Sequence, residues 1–214
     1  AVLVRSAGGS QNRLAHTGAM GYREGITQIP GAAISYEDAE MIASLAKDGV
    51  VKIKLTLTPQ TLPDVESHNV IADLKGSERP DEIVVIGGHL DSWDLGQGSI
   101  DDGAGVAVSM AVPAILKQLK IRPKRTIRFI AWMNEENGGR GSAAYFEEQK
   151  NNLANHFAAI ESDLGASHPI GFNFAGKPEA LALFAPISYV IRSQGAAQSQ
   201  ILPGVGADIA PLTR

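Results

Sequence analysis

Strands alternating with helices of ten residues or more predict an α/β fold, with a mostly parallel or mixed central sheet and helices on both faces. Three observations carry that expectation. Residues 83–86, Ile-Val-Val-Ile, are apolar at every position, as in a strand buried on both faces. Residues 126–132 and 157–160 repeat a strand pattern, with helical spans near 103–119, 139–150 and 179–193 between and after them. Of the 214 residues, 44% are hydrophobic and 20% charged, which is enough for a packed core and too apolar for a disordered chain.

Along the chain, residues 1–4 form a short strand, and the Gly/Ser/Asn/His-rich stretch over 8–22 is a loop. Ile29-Pro30-Gly31 turns into a second short strand at 32–34. Ser35 caps a helix with Asp38 three residues on, and Ala39, Ile42, Ala43 and Ala46 give that helix an apolar face up to Gly49. Val51, Ile53, Leu55 and Leu57 alternate with polar residues and predict a half-exposed strand. Pro59 and Pro63 bracket a polar connector, so residues 1–58 read as one piece and 59–214 as another. In the second piece, residues 70–74 alternate as a strand and 76–82, GSERPDE, form a turn before the buried strand. Pro113 falls inside the first long helix and predicts a kink or a short break.

Composition excludes several functions. The 19 Lys+Arg and 23 Asp+Glu give a formal charge of −4, and the basic run at 117–128 reads as a helix end, a turn and a strand start, so no nucleic-acid surface is expected. No apolar run approaches the ~18 residues that span a bilayer. Without cysteine there is no disulfide scaffold, thiol nucleophile or zinc finger, and any metal must be held by His, Asp or Glu.

The chemistry collects where strands end, which is where open α/β sheets bind ligands. The first buried strand runs into Gly87-Gly88-His89, with Asp91 two residues further and Asp101-Asp102 after a glycine-rich loop. The next ends in Glu135-Glu136 and the third in Glu161-Ser162-Asp163. Taken singly, His-x-Asp is commonly a surface or capping pair, Glu-Glu a solvent-facing pair, and Asp101-Asp102 a helix cap. Together, His89, Asp91, Asp101, Glu135, Glu136 and Asp163 crowd like charges that raise one another's pKa unless cations neutralise them. Two divalent cations resolve this, zinc by preference, with cobalt or manganese as alternatives. His16 and His168 read as loop residues, His68 as a strand start and His156 as a helix end.

The series GGHLDSWDLGQGSIDDGAG, RTIRFIAWMNEENGGRGSAAYF and AAIESDLGA resembles the di-zinc aminopeptidase family, in particular its plasma glutamate carboxypeptidase (carboxypeptidase Q) branch with bacterial relatives. HTGAM and IPGAAIS resemble pieces of the protease-associated type of insert in that branch. The resemblance implies a zinc-exopeptidase fold over 59–214, incomplete at its C-terminal side, and the end of an insert domain over 1–58. It implies that His89, Asp101, Glu136 and Asp163 ligate two zinc ions, with Asp101 bridging and Asp91 buttressing the His89 imidazole. Glu135 is then the general base, activating a hydroxide between the metals for attack on a peptide carbonyl. Asp208, in GVGADIAPL, resembles an Asp of a family segment near the substrate cleft, and the resemblance assigns it no metal role.

The family also has a later histidine for the second metal, and after Asp163 this chain offers only His168, too soon and beside a proline. The expectation is a fragment of a secreted or periplasmic exopeptidase, an aminopeptidase or dipeptidase acting on a peptide or dipeptide substrate. Alternatives are a single-zinc glutaminyl-cyclase-like acyl transfer, or a binding fragment that lacks the distal histidine and binds one zinc or none.

Overall fold

The computed structural model describes residues 1–7 and 13–213. It comprises two compact units, one of Ala1–Val65 with Trp93–Leu95 and the other of Glu66–Ser92 with Gly96–Arg214. The loop expected over 8–22 lies partly outside the described residues.

In the first unit, β1 (Val2–Arg5) pairs in parallel with β2 (Gly31–Ile34). The Ser6 hydroxyl extends the pair by donating to the Ile34 carbonyl (2.8 Å) and accepting from the His16 N–H (2.9 Å). Helix α1 (Tyr36–Asp48) starts at Ser35, whose side chain accepts from the Asp38 N–H (3.0 Å), and ends at Gly49. Its apolar face packs loosely, with no buried residue. The strand expected over 51–57 does not form, and Ile53, Leu55 and Leu57 stand exposed. Alternation makes a strand only where a neighbour takes up its backbone groups, and among the described residues β1 and β2 pair only with each other.

The second unit is built on a four-stranded sheet in the order β3 (Val70–Leu74), β5 (Arg125–Trp132), β4 (Arg79–His89), β6 (His156–Glu161). β4 lies parallel to both neighbours, and β3 runs antiparallel to β5, so the sheet is mixed. The turn expected over 76–82 is shorter, because β4 already begins at Arg79. Buried Thr126 closes it, its hydroxyl accepting from the Gly76 N–H (3.1 Å) and donating to the Pro80 carbonyl (2.6 Å).

Alternation along the central strands supplies two cores. Ile83, Val85, Ile130 and Trp132 pack with Tyr145 of α3 (Arg140–Gln149) and Ile209. Ile86, Phe129 and Ala131 pack with Val106 of α2 (Gly103–Gln118). Helices therefore cover both faces of the sheet. α2 continues through Pro113 without the expected break.

His156 does not end a helix; Leu153–Asn155 makes only a 3-10 turn and His156 opens β6. Its Nε2 lies 2.8 Å from the Tyr145 hydroxyl and its Nδ1 3.2 Å from the Asn152 carbonyl, which fixes the ring at the strand start. The helix expected near 179–193 is instead a 3-10 segment (Pro178–Leu183), α4 (Phe184–Ile191) and another 3-10 turn (Arg192–Gln194). Pro186 has no N–H to donate to the Ala182 carbonyl, so one α-helix cannot run through that point unbroken. α4 rests its Phe184 ring on Phe172 and Phe174 of β7 (Gly171–Phe174), which pairs in parallel with β8 (Gln198–Ile201).

The close approach of α2 to the β6 end rests on Gly105. A Cβ there would collide with the Ser162 carbonyl oxygen and both carboxylate oxygens of Asp102. Gly105→Ala is expected to destabilise the second unit by roughly 1–3 kcal/mol or more, as overpacking does. Urea unfolding of the variant tests this, and an unchanged midpoint would contradict it.

Candidate metal centre

The parallel register brings the carboxyl ends of β4, β5 and β6 to one edge, with His89 opposite Trp132 and Glu161 opposite Gly87. His89 is the last residue of β4 and its side chain is 1% exposed. Its Nε2 lies 3.1 Å from Asp101 Oδ1 and 3.2 Å from Asp163 Oδ1. Its backbone N–H donates to Asp102 Oδ2 (3.0 Å), while Asp102 Oδ1 accepts from the Gly105 N–H (3.0 Å) at the start of α2. One carboxylate thus caps the helix and ties it to the end of β4.

The neighbouring aspartates separate cleanly. Asp102 is 2% exposed and both its oxygens serve backbone N–H groups, whereas the side chain of Asp101 is 63% exposed and faces the imidazole. The capping alternative therefore holds for Asp102 alone. His89, Asp101 and Glu136 offer ligand atoms within 4.8 Å of one another, and so do His89, Asp102 and Asp163. With Asp102 engaged in capping, Asp163 is the ligand-type carboxylate of the second group. One imidazole with several convergent carboxylates is a donor set that suits zinc. Among the described residues no second histidine joins either group.

Asp91 is placed otherwise than expected. The His89 Nδ1 is met by the backbone carbonyl of Asp91 at 2.9 Å, and the nearer carboxylate oxygen stands 3.8 Å away. The two carboxylate oxygens instead accept from the N–H groups of Glu135 (3.0 Å) and Glu136 (3.1 Å). The residue orients the imidazole with its main chain and holds the turn after β5 with its side chain. His16, His68 and His168 join neither group.

Residues 69–207, more than half of the chain, match Peptidase family M28. The chain belongs to that family. It is 40% identical over 193 residues to Carboxypeptidase Q of Xenopus laevis, covering 90% of this chain and 41% of that protein. With Carboxypeptidase Q of Homo sapiens the identity is 38% over 210 residues, covering 98% of this chain and 44% of that protein. The crystal structure of a Peptidase M28 precursor from Shewanella amazonensis superposes with a TM-score of 0.85 at 38% identity, covering 98% of this chain and 48% of that one. BSAP, a zinc aminopeptidase from Bacillus subtilis, shares the fold at 22% identity and a TM-score of 0.56, covering 67% of this chain and 36% of that one. The M28 chain thus spans less than half the length of these relatives.

Electrostatics at this candidate site follow from burying many acids around one base. Burial alone would lower the pKa of His89, but the hydrogen bonds to Asp163 and to the Asp91 carbonyl outweigh it and push the imidazole up to about 10. Burial raises Asp102 to about 6, and raises the Glu135 carboxyl. Two acids that sequence reasoning left without a role lie close behind. Asp208, 2% exposed, is pushed by burial up to about 6 and interacts with His89, Asp91 and Asp163. Glu161 accepts from the Ile209 N–H (3.1 Å) and is pushed up to about 8, by burial first and then by Asp208. Their signal in the sequence is faint, a lone Asp in a short loop and a Glu at a strand end.

Every one of these shifts is upward, so these groups together hold more protons in the metal-free folded chain than in the unfolded chain, from the ordinary carboxylate range to about 10. Each contribution is fully present below the group's unfolded pKa and is lost as pH rises through its folded value. The melting temperature of the metal-free chain is expected to fall from about pH 5 to about pH 9. Zinc added near neutral pH is expected to raise it and to release protons, because the imidazole must be neutral to bind. Scanning calorimetry and titration calorimetry in two buffers check this; a melting temperature that rises with pH would refute the charge assignment.

Proposed function

We propose that the protein to which this chain belongs is a zinc-dependent exopeptidase, an aminopeptidase or dipeptidase that hydrolyses a terminal peptide bond. The observation that carries the reading is the gathering of Asp101, Glu136 and Asp163 around His89, with Glu135 beside them, at the carboxyl ends of three parallel strands. Identity to the Carboxypeptidase Q proteins over nearly the whole chain supports it. In this reading residues 59–214 belong to the catalytic domain and 1–58 to a protease-associated-like insert. The protein acts outside the cytoplasm, secreted or periplasmic.

His89, Asp101, Glu136 and Asp163 would hold the metal, two ions per complete site. Bound zinc contributes Lewis acidity toward the scissile carbonyl and makes water nucleophilic at neutral pH. The protein groups do the rest. Glu135 accepts the proton of the attacking water and passes it to the amine nitrogen, so the C–N bond breaks with a neutral leaving group. Burial raises its carboxyl above the ordinary value, which makes it a stronger proton acceptor. Asp91 fixes the backbone of the turn from which Glu135 and Glu136 project.

In the parent-length protein, Glu135→Gln is expected to lower kcat/KM for leucyl-p-nitroanilide and an unblocked dipeptide by roughly 10²–10⁴-fold with zinc content unchanged. Asp101→Asn should lose zinc as well as activity, as metal analysis would show. Near-normal turnover by Glu135→Gln would reject the base assignment, and one zinc per complete site would favour the acyl-transfer alternative.

A further inference from the structure

We infer that Asn69, just upstream of β3, is a positioning residue that closes the neck of the loop carrying Glu135 and Glu136. The inference rests on the roles proposed above for those two glutamates.

Residues 133–141 leave β5, make the Glu-Glu turn and enter α3. The neck is closed first by main chain, with the Gly141 N–H donating to the Met133 carbonyl (3.0 Å). The Asn69 side chain then completes it from both sides. Its Oδ1 accepts from the Met133 N–H (3.0 Å), and its Nδ2 donates to the Gly141 carbonyl (2.9 Å). The carboxamide thus takes up the Met133 N–H, a donor just past the end of β5, and adds a second donor to the Gly141 carbonyl in the first turn of α3.

Topology explains how a residue 64 and 72 positions away in sequence reaches this neck. β3 is antiparallel, with Val70 opposite Ala131, so the residue before β3 arrives beside the end of β5. Gly141 permits the approach, since a Cβ there would collide with Asn69 Oδ1 and the Met133 carbonyl oxygen. Within the loop, the Gly139 N–H donates to the Asn134 carbonyl (2.7 Å), and Asp91 holds the amides of Glu135 and Glu136. Asn69 is therefore the clamp at the base of the loop and Asp91 the clamp at its turn.

Only asparagine offers an acceptor and a donor at this reach. Aspartate matches its shape but cannot donate, and its charge faces the Gly141 carbonyl. Glutamine is longer by a methylene group.

The test uses the parent-length protein, with Asn69→Asp and Asn69→Ala made in parallel. Amide hydrogen exchange of residues 133–141 in the metal-free protein is expected to quicken at least about tenfold in both variants, with β4 and β5 unchanged. In the zinc-loaded protein, kcat for leucyl-p-nitroanilide is expected to fall at least about tenfold while KM stays within about twofold, since misplacing a catalytic group acts on the chemical step. Wild-type exchange and kcat in Asn69→Asp would overturn the clamp, because the isosteric variant keeps the packing. Faster exchange spread through β4 and β5 would overturn it too, by making Asn69 a support of the whole sheet. Glu135→Gln run alongside separates the two readings. If that variant stays active, the glutamate roles fail, while the exchange data still decide whether Asn69 holds the loop.

Discussion

Like charge crowded at one sheet edge is the constraint to which the larger unit is built. Asp91, Asp101, Asp102, Glu135, Glu136 and Asp163 all belong to segments that leave or follow the ends of three parallel strands, with a single buried imidazole among them. Such a set persists only if each carboxylate has donors or a cation. Asp102 is satisfied by two backbone N–H groups and Asp91 by two more. Asp101 and Asp163 turn to the imidazole, which in the metal-free protein carries the balancing charge. The division is between acids that use up their lone pairs on the main chain and acids left for a cation.

The opposite part of the sheet solves a smaller version of the same problem with side chains alone. Arg128 on β5 donates to both oxygens of Asp73 on β3 (2.8 and 2.9 Å) and to the Tyr145 hydroxyl (3.1 Å). That hydroxyl reaches His156, and Trp132 meets the Tyr145 ring edge-on at 5.3 Å. The Asp73 carboxyl is held below the usual carboxylate range, chiefly by its hydrogen bonds from Arg128. Burial keeps His156 below its ordinary value, consistent with a neutral ring accepting from tyrosine. α3 is thereby fastened to the sheet through a charge-neutral network, while α2 is fastened through the Asp102 cap at the end of β4.

Much of this could be read from the sequence because the relevant signals are local. The apolar run at 83–86, the Ser35 cap and the helix following Asp102 depend on neighbours only a few residues away, and they appear where the pattern places them. The candidate site residues are legible because strand ends and acidic motifs coincide. Errors arose where a partner decided the outcome. Residues 51–57 alternate but lack a strand to pair with, and His156 depends on Tyr145 for its place. Asp91 illustrates a finer limit: spacing put it near His89, but spacing does not say whether carbonyl or carboxylate makes the bond. Asn69 carries no local signal, since its partners lie across the sheet.

The one reversed strand in the sheet has a bearing on how such a centre can be transplanted. In a wholly parallel sheet, every segment at the active edge follows a strand, and each loop can be exchanged together with the strand before it. Here β3 delivers its upstream residue to that same edge, against the end of β5. The Glu135–Glu136 loop and the lead-in to β3 are therefore one module in space and two in sequence. A chimera that swaps the loop between M28 scaffolds and leaves that lead-in behind would carry over the acids without the hinge-pin that sets their angle.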